Sequence, residues 1–328
     1  MISRLFTKKK KVRLSLNNKK IVCIGGGTGL FSLLSGLKEY VTCKDNIKAI
    51  VTTLDSGGSS GKLRTQFRVL PPGDIRNCLV ALSSESNVLN ELFQYRFKTE
   101  LDQHNFGNLL ITALTEMTGS FNEAVKNASK ILRIKGEVVP VSFKDNHLIA
   151  ELEDSGELIE GEGKICDLPN ESKIKKLSLK KQEAENPRVI EVLKNADLII
   201  FGPGGLHNSI LPNILFEEVR KAILNNKKAK KVYFPSVMSN NVTAHFKLSD
   251  FKNELESYLG EEFDYIIVNK SVPASMALKK YAEEGKFPVP IDLENLDKEK
   301  VICTDLINED ILVRHDPKKV AKEVLKLI

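Results

Sequence analysis

Short, wholly apolar runs alternate along this chain with stretches whose apolar residues recur every three or four positions. Residues 20–24 and 47–54 read as buried strands flanking a helix over 30–40, and the thirty or so residues they span are what one βαβ unit takes. The same pattern predicts further strands at 197–201, 231–237, 263–269 and 301–304. Runs apolar on both faces and separated by helices belong to a mainly parallel sheet covered on both sides, which makes the fold class α/β and three-layered. Open sheets of this kind take their ligands at the carboxyl ends of the strands.

Two stretches depart from the rhythm. Over 138–165 the pattern breaks into short alternating pieces, 138–143 and 147–152, with a turn at Asp154-Ser155-Gly156. An antiparallel meander is expected there, acting as a cap over the crevice. Residues 170–186 are polar and lysine-rich and read as exposed strand or linker without functional meaning. The expected layout is thus a basic disordered tail over 1–19, then a single ligand-binding domain over 20–328 with a cap-like insertion at about 138–186. At the far end Asp316 is placed to cap a helix with Pro317 in its first position, and Val320, Val324, Leu325 and Ile328 line one face.

Composition adds limits. With 328 residues, 41% of them hydrophobic and 28% charged, the chain buries a large core. No apolar run approaches the ~20 residues of a membrane-spanning helix, and the N-terminus lacks a secretory pattern, so a cytoplasmic location is expected. Cys23, Cys43, Cys78, Cys166 and Cys303 form no C-x-x-C pair and read as reduced core residues. The net charge of +6 is concentrated in residues 1–20, which hold eight basic and no acidic residues and leave 41 basic against 43 acidic in the rest. A near-neutral body makes nucleic acid an unfavoured partner, and the tail reads as a solvated extension.

The chemistry lies in five small-residue loops, each set to open a helix, where free amides and a partial positive charge favour anions. Gly25-Gly26-Gly27-Thr28-Gly29 follows a strand as a dinucleotide turn would. Neither register completes G-x-G-x-x-G, however, since Leu30 or Ser32 stands at the last glycine, and no Walker A loop occurs. In the second loop Asp55 stands where an acid would meet a ribose. Ser56, Gly57, Gly58, Ser59, Ser60 and Gly61 follow with hydroxyls and amides, and Lys62 and Arg64 with charge suited to a pyrophosphate. The third is Pro71-Pro72-Gly73-Asp74-Ile75-Arg76-Asn77, in which Asp74 is a good N-cap, and Arg76 and Asn77 lie in the first helical turn ready for phosphate or carboxylate. In the fourth, Asn105 and Asn108 flank Gly107 with amides suited to a uracil edge or sugar hydroxyls, while His104 reads equally as a satisfied hydrogen-bonder. The fifth is Gly202-Pro203-Gly204-Gly205-Leu206-His207-Asn208-Ser209, again after a strand; it faces the first across one crevice if the sheet reverses its winding between them.

These segments, with Phe93-Gln94-Tyr95-Arg96-Phe97, Gly107-Asn108-Leu109-Leu110 and Ser209-Ile210-Leu211-Pro212-Asn213, resemble the YvcK-like or gluconeogenesis factor branch of the CofD-like family, in order from about residue 20 to the end. The proline-proline-glycine-aspartate segment is the most specific part. The resemblance implies a Rossmann-like fold that binds a UDP-sugar, notably UDP-N-acetylglucosamine, and a cytoplasmic role in carbon metabolism, cell-wall synthesis and cell shape. This chain departs from the pattern at Ser56, where many members have a second acid or an amide, and over Gly205-Leu206-His207-Asn208.

Three functions follow as expectations. The first is a UDP-sugar-binding regulator, working with regulatory protein partners and as a homo-oligomer, with the residues of the five loops as ligand contacts and no catalytic residue. The second, implied by the 2-phospho-L-lactate transferase branch, is a magnesium-dependent transferase acting on a nucleotide-activated donor, with Asp55 as candidate catalytic acid or base. The third is an NAD-dependent dehydrogenase, which the broken fingerprint disfavours.

Overall fold

Alternate positions of the first strand, β1 (Ile21–Gly25), enter different cores. Ile21 and Cys23 join one apolar cluster, Val22 and Ile24 another, since successive side chains of a strand leave opposite faces. The structure is a computed structural model and describes residues 19–41, 43, 46–84, 88–98, 104–182, 184–308 and 312–328. The basic tail expected over 1–19 lies outside them except for Lys19.

The strands after β1 are β2 (Ile47–Val51), β3 (Glu137–Pro140), β4 (Leu148–Leu152), β5 (Leu158–Glu160), β6 (Ile174–Leu179), β7 (Leu198–Phe201), β8 (Lys230–Tyr233), β9 (Tyr265–Asn269) and β10 (Val301–Thr304). Helices in the first half are α1 (Gly27–Leu37), α2 (Gly58–Phe67), α3 (Gly73–Leu82), α4 (Val88–Gln94), α5 (Phe106–Thr118) and α6 (Phe121–Ile131). Those in the second are α7 (Glu162–Cys166), α8 (Pro187–Lys194), α9 (Leu211–Ile214), α10 (Glu217–Asn225), α11 (Leu248–Leu259), α12 (Ser275–Glu283) and α13 (Pro317–Leu325).

Seven strands form one parallel sheet in the order β10-β9-β8-β7-β1-β2-β3. One face is covered by α1, α3, α5, α6 and α13, the other by α8, α9, α10 and α11, giving the three-layer α/β fold that the apolar runs predicted and the Rossmann-like form that the resemblance implied. The C-terminal helix starts as expected, with the Asp316 carboxylate accepting from the Lys318 and Lys319 amides and Pro317 in the first turn. It ends at Leu325, so Ile328 lies beyond its apolar face.

The cap differs from expectation at its start. Residues 138–143 are not its first strand: β3 pairs in parallel with β2 as the edge of the main sheet, Ile50 opposite Val139. The antiparallel sheet is β5-β4-β6, and β6 lies within the lysine-rich stretch expected to be exposed strand or linker. Leu177 and Leu179 of β6 are buried against the second core, so the stretch has a structural role. Cysteines are free as expected, but only Cys23 and Cys78 are core residues; Cys43 is exposed, and Cys166 and Cys303 are half-buried.

The α1–α13 contact is close enough to require a missing side chain. A methyl group at Gly36 would run into the Pro317 carbonyl and meet Ala321. Gly36→Ala is therefore expected to lower stability by about 1–3 kcal/mol in urea unfolding, although alanine is the better helix former; an unchanged midpoint would contradict this contact.

Candidate functional site

From β1 the chain winds outward to β2 and β3, and from β7 it winds the other way to β8, β9 and β10. Winding therefore reverses between two adjacent parallel strands, with Ile24 opposite Phe201, the position where such sheets place a ligand crevice at the strands' carboxyl ends. Past β1, α1 starts at Gly27, which has φ +62°. Past β7, residues 202–205 lead into a π-helical turn, Leu206–Ile210. The two loops touch through their main chains: a Cβ on Gly29 would strike the Pro203 carbonyl and lie 2.8 Å from the Gly204 nitrogen. Asn213, fully buried, donates to the Ser209 carbonyl at 2.8 Å and the Gly25 carbonyl at 3.3 Å, tying the loops from below.

A cavity of about 360 Å³ opens over this junction, lined by Gly26, Gly27, Thr28, Gly29, Gly204, Gly205, Asn208 and Ser209, with Asp55, Asp74 and Glu162 on the same wall. A second of about 280 Å³ shares Thr28, Gly29, Gly204 and Gly205 and continues to Ser32, Tyr281, Arg314 and His315. Together they make one groove along the start of α1.

The acids satisfy much of the local backbone. Asp55 accepts from the Gly57 amide at 2.8 Å, Glu162 accepts from the Ser56 amide at 3.4 Å, and Ser56 Oγ accepts from the Gly163 amide at 2.9 Å. Asp74 does not cap its own helix as expected; Pro72 holds the N-cap of α3, and the Asp74 carboxyl reaches across to the Gly27 amide at the start of α1. Burial, then the charges of Asp55 and Glu162, push the Asp74 carboxyl up to about 8, against the weaker pull of the Gly27 amide. Burial and Asp55 also raise Glu162. At neutral pH Asp74 therefore holds a proton. Among the described residues no group of three His, Cys, Asp or Glu side chains converges as a metal site.

The crevice thus gathers Gly26, Gly27, Thr28, Gly29, Asp55, Asp74, Gly204, Gly205, Asn208 and Ser209 from four of the five loops. Gly57 borders it, beside Asp55 and Glu162, and Gly73 packs on Ser60 and Asp55 just behind. Other expected contacts lie elsewhere. Gly58 and Lys62 are on the exposed side of α2, and Gly202 is buried against the Phe234 carbonyl. Ser59, His104 and Asn108 form a buried cluster, with Ser59 Oγ 2.9 Å from His104 Nδ1 and accepting from Asn108 Nδ2 at 3.2 Å. Asn105 caps α5 by accepting from the Asn108 amide and donates to the Gln94 carbonyl. Arg76 crosses Gly107 on the α5 side of α3, and Asn77 sits half-buried on α3. None of these lines the cavity.

The groove residues that were not among the expected contacts include Glu162, Tyr281, Arg314 and His315. They come from three separate segments, the cap, α12 and the stretch before α13. His315 is buried, its Nε2 has no partner, and burial lowers its imidazole to about 4, so a neutral ring faces the groove at pH 7. The loop after β8 contributes Ser236, which donates to the Gly204 carbonyl at 2.8 Å.

Residues 21–307 match the family described as 2-phospho-L-lactate transferase CofD. A protein of Aquifex aeolicus named "Putative gluconeogenesis factor" is 42% identical over 317 residues, covering 94% of this chain and 96% of that one. The Bacillus subtilis "Gluconeogenesis factor" is 39% identical over 320 residues, covering 94% of this chain and 98% of its own. Among solved structures, a UPF0052 family protein from Bacillus halodurans superposes with a TM-score of 0.87 at 37% identity, covering 94% of this chain and 99% of that one.

Asp74 makes stability depend on pH. Its folded form keeps the proton up to about pH 8, whereas an unfolded aspartate loses it near 3.8, so the folded state binds the proton more tightly and loses stability as pH rises between these values. The slope is at most about 1.4 kcal/mol per pH unit. Urea midpoints from pH 5 to 8 are expected to decline for the natural chain and to decline less for Asp74→Asn; parallel declines would contradict this assignment.

Proposed function

The chain belongs to the CofD family, and on that premise we propose that it is a nucleotide-sugar-binding regulator whose ligand is a UDP-sugar of the UDP-N-acetylglucosamine type. The observation that carries this reading is the groove at the winding reversal, where the start of α1 and the 203–205 segment meet main chain to main chain. A diphosphate there would sit on the amides of Gly26, Thr28 and Gly29, beside the Gly27 amide that Asp74 holds, favoured by the helix dipole. Uridine and sugar would extend along Tyr281, Arg314 and His315, with Arg314 supplying charge, Tyr281 a ring face and His315 a neutral hydrogen-bonding edge.

Three acids on the same wall oppose an anion. The proton on Asp74 removes part of that repulsion, and a divalent ion between Asp55 and the diphosphate would remove more. Regulation is supported by α12, which carries Tyr281 yet buries only Ala277; ligand contact at Tyr281 would fix a weakly held helix and alter the surface around it. Carbon metabolism is the process the relatives' names point to, and cell-wall synthesis and cell shape, a cytoplasmic setting, protein partners and a homo-oligomer belong to the same proposal.

A second reading, a magnesium-dependent transferase, is favoured by Asp55, Asp74 and Glu162 facing one cavity. Magnesium would supply charge neutralisation at the diphosphate, and Asp55, partly exposed, would hold it or take a proton from an acceptor hydroxyl. Magnesium-dependent transfer of the sugar from a UDP-sugar to a hydroxyl acceptor or to water, with release of UDP and lost in Asp55→Asn, is the result that would favour this reading over the first.

Calorimetry with UDP-N-acetylglucosamine is expected to show saturable binding that Arg314→Ala and Tyr281→Ala each weaken about 10-fold or more. Without magnesium, affinity should fall as pH rises through 8 and Asp74 ionises, and Asp74→Asn should blunt that fall. No heat with any UDP-sugar, with or without magnesium, would reject the reading.

A further inference from the structure

The main sheet ends at β3, which among the described residues pairs with β2 and with no other strand. Main-chain groups of successive strand residues turn to opposite sides. The Val141 amide reaches the Val51 carbonyl at 2.9 Å, so the groups of Val139 also face β2 and those of Val138 and Pro140 face outward. Pro140 has no amide to offer, and its carbonyl accepts from Asn186 Nδ2 at 3.1 Å. Val138 is left with an outward amide and carbonyl and no strand to meet them.

Two cavities lie beside that edge. One of about 450 Å³ runs between the strand, from Gly136 to Pro140, and the α6 residues Val125, Lys126, Ser129 and Lys130. The other, of about 650 Å³, shares Ser129, Lys130, Ile134 and Gly136 and continues past Arg133 and Lys135. Gly136 immediately precedes β3, so this groove borders the outer edge and amino end of the sheet, whereas the crevice lies at the carboxyl ends. Its floor is apolar, formed by Val125, Ile134 and Val138.

The rim is cationic. Of the described residues that line the two cavities, Lys126, Lys130, Arg133, Lys135 and Arg188 carry positive charge and Glu137 is the only acid. Glu137 is already held by Lys48 at 2.9 Å and Arg188 at 2.7 Å, and Lys126 is paired with Glu123, whereas Lys130 and Lys135 make no ion pair with a described residue. Lysines that merely blunt a sheet edge stand on the edge strand itself. β3 has none; these stand on α6 and the turn after it, on the other wall of the groove.

We propose that this groove is the docking site for an extended acidic segment of a protein partner, which adds a short strand to β3. The main chain of that segment bonds to the amide and carbonyl of Val138, its apolar side chains cover Val125 and Ile134, and its carboxylates meet the lysine rim. Pro140 and the Asn186 bond stop the pairing at the carboxyl end of β3, so the added strand runs past Gly136 toward the second cavity. The site is separate from the nucleotide-sugar groove and does not rest on that reading.

The test is fluorescence anisotropy of a short labelled peptide of alternating glutamate and valine, titrated with the full-length protein in the absence of any UDP-sugar. Saturable binding is expected, weakened about 10-fold or more by joint Lys130→Glu and Lys135→Glu substitution and by N-methylation of the peptide's own alternate amides. Those two lysine variants should leave UDP-N-acetylglucosamine binding unchanged. Val138→Pro, which deletes the outward amide and spares the ladder to β2, should weaken the peptide similarly. Hydrogen exchange on the natural chain covers the case in which that variant misfolds, and peptide should newly protect the Val138 amide. No peptide binding, equal binding of the N-methylated peptide or of polyglutamate, or full displacement by inorganic triphosphate would each overturn the proposal, the last two by showing a site for charge only. Any oligomer seen in sedimentation should survive Val138→Pro; its dissociation would give this edge to a second copy of the chain and equally overturn the proposal.

Discussion

Main chain meets main chain at the winding reversal because Gly29 has no side chain. The Pro203 carbonyl occupies the space a Cβ would need, and this contact sets the start of α1 against the segment leaving β7. The rest of the groove depends on it. With the two loops in register, the amides opening α1 and those of Gly204 and Gly205 face a common volume, and Asn213 holds the arrangement from the core side. Widen that contact by one methyl group and the floor of the site separates into two unrelated loops.

Charge is the opposing term. Asp55, Glu162 and Asp74 take the amides of Gly57, Ser56 and Gly27, so part of the backbone that glycine makes available is already bonded to carboxyl groups. These carboxyl groups hold the loops in a ligand-like manner, each lying where an oxyanion would lie. Exchange for a diphosphate is then favourable only where the negative charge falls, through the proton on Asp74 or through a cation. The site is in this sense conditional on pH and on divalent ions, a property that neither glycine content nor topology alone would reveal.

Much of the framework was legible because it rests on local pattern. Apolar runs at β1, β2, β7, β9 and β10 and the glycine turns before α1, α2 and α3 follow from periodicity and from amide access, and the structure bears them out. Elements governed by distant partners were not legible. Alternation over 138–143 fits a meander strand as well as an edge strand, and only its pairing with β2 decides. β6 keeps a solvated lysine-bearing face, and two buried leucines in a polar stretch give too weak a signal. Asp74 occupies a position that suits an N-cap, yet its carboxyl crosses to another helix, a contact no local rule contains. The second loop has the glycine density of a phosphate cradle, but Glu162, 106 positions later, takes one of its amides. Tyr281, Arg314 and His315 are single residues from separate segments, and only the fold brings them together.

Hydrogen exchange read by mass spectrometry with and without UDP-N-acetylglucosamine addresses the central claim directly, because it reports which amides a diphosphate engages. The account predicts new protection at residues 26, 28, 29, 204 and 205, with little change at Gly27, whose amide Asp74 holds, and over 56–61, where the acids already hold Ser56 and Gly57. Protection confined to 56–61, or none at either strand end at saturating ligand, would contradict it.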